Sequence, residues 1–167
     1  MEYTFTLTFR FDASTSEVDT LLESLGEAGC DDAVVGIGKT GAVTLAFERG
    51  ALNAEEALAT AMQHVKSAIP GAQLVEAAPD YVGLSDIAAI MGVTRQAVRK
   101  LMLAHANAFP MPVHAGQTSI WHLALVLDFF RERRYAVSQA LYEIALANLE
   151  ANVRKEATLL GSLAKAT

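Results

Sequence analysis

Apolar and polar positions alternate strictly over residues 3–11, with Tyr3, Phe5, Leu7, Phe9 and Phe11 on one face and Thr4, Thr6, Thr8 and Arg10 on the other. That two-residue period predicts a strand with one buried face. The period then lengthens. Val18, Leu21, Leu22 and Leu25 fall at helical spacing, after Ser14 or Ser16 as a candidate cap and before Gly26 or Gly29 as a candidate stop. The runs DAVVGIG and AVTLAFE predict two strands joined by a turn around residues 39–41. NAEEALATAMQHVKSAI predicts a second helix, capped by Asn53 and ended before Pro70, and AQLVEA a last short strand.

The resulting order is βαββαβ, which predicts a ferredoxin-like sandwich of four antiparallel strands with two helices on one face. AAPDYVG (77–83) reads as the joint to the next unit. Pro79 cannot continue a strand ladder, and Asp80 with Gly83 opens a loop. The joint is short, so the units on either side are expected to be coupled.

The next stretch, LSDIAAIMGVTRQAVRKLML (84–103), predicts two helices joined by a tight turn. A first helix around Asp86–Ile90 stops at Gly92, where a positive φ is cheap only for glycine. Thr94 then caps a second helix. Ile87, Met91, Val93, Val98 and Leu101 have the spacing to pack the pair together, and Ala88 allows close approach. Arg95, Gln96, Arg99 and Lys100 fall on the opposite face. Such a face offers cations to phosphates and forked or amide donors to base edges. A helix-turn-helix DNA-binding unit is therefore expected.

Beyond it, Phe109–Val113 is held extended by two prolines, a turn follows at residues 115–116, and the chain returns through Ser119, Ile120 and Trp121. This predicts a small hairpin or wing, then an apolar helix over 122–134. Residues 137–166 have high helix propensity with Ser138 as cap. Leu141, Ile144, Leu149, Val153, Leu160 and Leu163 form a loose heptad stripe. That stripe suits either packing on its own chain or a dimer contact. The α+β chain thus divides into 1–78, 79–136 and 137–167, the last a candidate dimerisation helix.

Charge sharpens the division. The net charge is −6, yet residues 1–80 hold four Lys/Arg against 13 Asp/Glu, a net −9, whereas residues 81–167 hold nine against six, a net +3. The acidic half should face away from DNA or meet another partner. No run approaches the ~18 uninterrupted apolar residues of a membrane span, and MEYTFTLTFRF lacks the basic start and apolar stretch of a signal peptide. A single cysteine, Cys30, can form no internal disulfide, which suits a cytoplasmic protein.

Other candidate chemistry is thin. Cys30 sits beside Asp31 and Asp32, which oppose a thiolate, so an inert thiol is expected. Those two aspartates lack further nearby ligands and read as solvated loop carboxylates rather than a metal site. GIGKTG lies between strands and lacks Walker spacing, so it reads as a hairpin turn. His64 is mid-helix and expected at the surface or its boundary. Arg131, Arg133 and Arg134 suit either phosphate contacts or a solvated helix end favoured by the dipole. No nucleophile–base or multi-histidine grouping stands out, so neither enzyme activity nor a cofactor or metal is expected.

The run GLSDIAAIMGVTRQAVRKLM, then FPMPV, a turn, a Trp and an apolar helix, resembles the winged helix-turn-helix of the excisionase/AlpA group, related to MerR-type domains, over about residues 81–134. The resemblance implies a recognition helix in the major groove, matched here by Thr94, Arg95, Gln96, Arg99 and Lys100. It also implies a wing touching backbone or minor groove, matched by His114, Gln117 and Thr118. The wing tip, usually basic in that group, here carries only His114 and neutral side chains. Trp121 is expected to anchor the wing to the core. The expected function is a sequence-specific, double-stranded-DNA-binding transcriptional regulator acting as a homodimer. The alternatives are an antitoxin-type autorepressor whose acidic N-terminal domain binds a partner protein, and a regulator sensing a small-molecule effector there.

Overall fold

The computed structural model describes residues 1–12, 17–38 and 41–167. It is a mixed α+β structure built around a four-stranded antiparallel sheet of order β2-β3-β1-β4. Strand β1 (Glu2–Arg10) is central, with Tyr3, Phe5, Leu7 and Phe9 at most 1% exposed. It pairs with β3 (Ala42–Gly50) from Glu2↔Gly50 to Arg10↔Ala42, and on its other edge with β4 (Gln73–Ala78). β2 (Ala33–Ile37) borders β3. Because β1 and β3 alternate in the same register, the Phe5 and Phe47 rings stack at 5.1 Å on the buried face.

Helix α1 (Val18–Glu27) and helix α2 (Ala54–Ala68) cover that face. Asn53 caps α2 as expected, its Oδ1 accepting the Glu56 amide at 2.8 Å, while Glu56 Oε2 accepts the Leu52 amide at 2.8 Å. Small residues at helical spacing, Ala57 and Ala61, are fully buried and let α2 lie close to the sheet. α1 starts at Val18 with extended Glu17 as its N-cap and no side-chain cap bond; the candidate caps Ser14 and Ser16 lie outside the described residues, as does most of the turn before Gly41. The opposite sheet face, with Thr4, Thr44, Ala46 and Glu48, is exposed.

Past the sheet come β5 (Tyr81–Val82), α3 (Leu84–Met91), α4 (Arg95–Ala104), β6 (Trp121–His122), α5 (Leu123–Glu132) and α6 (Gln139–Lys165). Ser138 caps α6, its Oγ accepting the Leu141 amide at 3.3 Å. The heptad stripe expected along this helix divides. Ile144 is buried with the sandwich, Leu141 and Leu149 pack partly against the second apolar cluster, and Val153, Leu160 and Leu163 are exposed. α6 therefore joins both apolar clusters, contributing Ile144 and Ala147 to one and Ala145 to the other.

The joint is held by buried polar groups that no periodicity announces. Asn152 Oδ1 accepts the Ala77 amide at 2.9 Å, and its Nδ2 donates to Ala77 O and to Asp80 Oδ2, both at 2.8 Å. Asn148 Nδ2 donates to Pro79 O at 3.1 Å. Asp80, fully buried, also accepts from His122 Nδ1 at 2.7 Å. A buried carboxylate is tolerated only with such partners. Among the described residues, no helix is long and apolar enough to cross a membrane.

Candidate nucleic-acid interface

The α3–α4 pair is assembled by local rules. The Gly83 amide donates to Asp86 Oδ2 at 2.8 Å, starting α3 slightly earlier than its apolar spacing suggests. Gly92 takes φ 67°, ψ 32°, the left-handed conformation that ends α3, and the Val93 amide returns to Ala88 O at 3.0 Å. Thr94 Oγ1 accepts the Ala97 amide at 3.1 Å and starts α4. Ile87, Ala88 and Val98 are buried between the helices, and Met91 and Leu101 half-buried. Val93 departs from expectation: at 44% exposed it belongs to the surface of the turn, because the left-handed residue before it redirects the chain outward.

With Val98 anchored, Arg95, Gln96, Arg99 and Lys100 are all exposed. The first turn of α4 holds no acidic residue, so its free amides and positive dipole end are unopposed. Arg95 Nη1 lies 3.5 Å from Ser85 Oγ.

The expected hairpin is short. His114 bridges Ile120 antiparallel, and the Val113 amide donates to Ile120 O at 2.7 Å. The tip residues His114, Gln117 and Thr118 are exposed. Trp121 is 4% exposed, donates Nε1–H to Pro110 O at 3.0 Å, and meets Phe109 edge-on at 5.7 Å. It anchors the hairpin to the core. The return strand does more than the spacing suggested. β6 pairs with β5, Tyr81↔His122 and Val82↔Trp121, tying the hairpin to the strand that leads into α3.

The three arginines at the end of α5 separate. Arg133 lies over the Phe129 ring at 3.8 Å and donates to Phe129 O at 3.3 Å. Arg131 lies over Tyr142 at 4.0 Å, and Arg134 takes φ 63° at the surface.

A second polar cluster, between β3, α2 and the α1–β2 loop, corrects the reading of Asp32 as a solvated loop carboxylate. Arg49 Nε and Nη2 fork onto Asp32 at 2.6 and 2.8 Å; Nη2 also donates to Gly29 O at 2.8 Å and Nη1 to Thr60 Oγ1 at 3.2 Å. His64 Nδ1 lies 3.1 Å from Gly29 O and 3.4 Å from Arg49 Nη1. The hydrogen bond from Arg49 holds the Asp32 carboxyl below the usual range and raises the guanidinium in turn. Arg49 continues the inward register of Val43, Leu45 and Phe47, a signal present in the alternation. Its donors are filled by protein, so the cluster acts as a clasp rather than a reactive site. Cys30 is buried, which raises its thiol pKa, and among the described residues no group of three His, Cys, Asp or Glu could hold a metal.

No protein-family model, curated protein or solved structure matches the chain.

Proposed function

We propose that this chain is a sequence-specific DNA-binding transcriptional regulator that acts as a homodimer, with α4 lying in the major groove. The observation that carries the reading is the exposed Arg95-Gln96-Arg99-Lys100 face on a helix whose other side is anchored by Val98. Arg95 and Arg99 are assigned to guanine edges, Gln96 to an adenine or a phosphate, and Lys100 to a phosphate. His114, Gln117 and Thr118 contact the sugar–phosphate backbone or minor groove.

The turn at Gly92, the Thr94 cap and the His114–Ile120 bridge support a winged helix-turn-helix similar to that of the excisionase/AlpA group. The antiparallel order β2-β3-β1-β4 supports a ferredoxin-like N-terminal sandwich, whose net charge of −9 over residues 1–80 faces away from DNA. A single such module covers only ~600–1,000 Å² on DNA, so two-fold doubling is the usual route to useful affinity.

The test is genome-wide capture of bound fragments followed by footprinting. Paired half-sites about one helical turn apart support the reading. Recovery of no recurrent motif overturns it.

A further inference from the structure

An open groove of about 660 Å³ lies between α2, the start of β4 and the outer half of α6. Its walls include Leu58, Met62 and Leu74, with Ala147 and Ala151 leaving room for a close approach. From Glu156 to Lys165, α6 runs on with every residue exposed, including Leu159 at 54% and Leu163 at 68%. That outer segment is about 15 Å long. Most helical stability in a folded protein comes from packing of an apolar face, and here Leu159, Leu160 and Leu163 have none.

The charges along the groove indicate which neighbour. α6 runs antiparallel to β4, since Asn152 bonds Ala77 while Lys155 Nζ donates to Val75 O at 2.6 Å. α2 enters β4 through the tight turn at Pro70–Gly71 and is antiparallel to it as well. α2 and α6 are therefore parallel, and each runs from acid to base along the groove: Glu55 to Lys66 on α2, and on α6 Glu150, which already pairs with Arg154 one turn on, to Arg154 and Lys155. A second α6 laid antiparallel carries its terminal Lys165 to the acidic end.

We infer that the groove is the docking site for a second copy of this chain. The outer halves of two α6 helices pair antiparallel about a two-fold axis near residues 157–158, and each fills the groove between its partner's α2 and α6. Leu159 and Leu163 are the apolar anchors, and Lys165 meets Glu150 of the partner subunit. The Thr158 and Ser162 hydroxyls, already bonded to Arg154 O and Thr158 O at 3.0 Å, can be covered at little cost. The contact is isologous, as a closed dimer requires. It deepens the two-subunit part of the proposed function and is measured without DNA, so its failure leaves the DNA reading standing and the reverse holds too.

Sedimentation velocity of the full chain at micromolar concentration should show a dimer. Leu159→Glu with Leu163→Glu should convert it to monomer, with circular dichroism confirming that the body stays folded. Lys165→Glu should raise the dissociation constant severalfold, and adding Glu150→Lys should recover most of the loss. Thr158→Cys should cross-link two copies under mild oxidation, Cys30 being buried. A wild-type monomer overturns the inference. So does a dimer that survives the double leucine variant but is broken by Val153→Glu, since Val153, with Leu146 and Leu160 at seven-residue spacing, lies on the stripe next to the one that carries Leu159 and Leu163.

Discussion

Asn152 Nδ2 and Asp80 Oδ2 lie 2.8 Å apart, on two residues that are both fully buried, and join α6 to the segment linking the sheet to α3. The same amide group satisfies both the amide and the carbonyl of Ala77. One side chain thus compensates three buried polar groups, and a carboxylate among them is the most expensive to strand. Asn152→Ala should lower the unfolding free energy by about 1–3 kcal/mol, read from urea unfolding. A loss within error would show that the joint is not held by this contact.

The Asp32–Arg49 clasp predicts an acid limb. Asp32 is depressed below the usual carboxylate range by the hydrogen bond from Arg49, so its contribution is complete above the unfolded pKa, about 3.9. That contribution is lost as pH falls from there through the lower folded value. The stability difference between wild type and Asp32→Asn should therefore be largest near neutrality and shrink below about pH 4. A constant difference across a denaturation series in pH would contradict the assignment.

Gly92 has open space where a Cβ would sit, yet its φ is 67°. The cost of substitution is then purely conformational. Gly92→Ala should destabilise by about 1–2 kcal/mol, and Gly92→Asn by less, since asparagine tolerates the left-handed region. Equal effects from the two variants in thermal unfolding would point to a steric cause instead.

Arg99 and Lys100 should separate in a binding assay. Arg99→Ala is expected to weaken binding to the recovered site by about 1–3 kcal/mol and relax preference at one base pair. Lys100→Ala should weaken all sequences alike and reduce the slope of log affinity against log salt by about 1. Fluorescence anisotropy over a salt series reads both, and a sequence-selective loss from Lys100→Ala would reverse the two roles.

Local patterns were readable where one residue or one period carries the physics. The Tyr3–Phe9 alternation, the caps Asn53, Thr94 and Ser138, and the left-handed turn at Gly92 each follow from backbone geometry and nearest neighbours along the chain. The exposed face of α4 was readable too, because Gln96 and Lys100 fall across the helix from Val98, with Arg95 and Arg99 on its flank. Asp32 read as a lone loop carboxylate, since its partner Arg49 comes from another element, and Val93 read as core although the turn carries it outward.

The sequence by itself therefore determined most of the elements, the caps at Asn53, Thr94 and Ser138, the inward faces and the polar face of α4, since these are set within a few residues by sterics and by the need to bury apolar surface. Only the tertiary structure decided which distant groups would meet. It made α6 part of both apolar clusters, paired β6 with β5, and surrounded Asp80 with His122 and Asn152. A buried polar group must find its compensation in space, and spacing along the chain does not encode where that is.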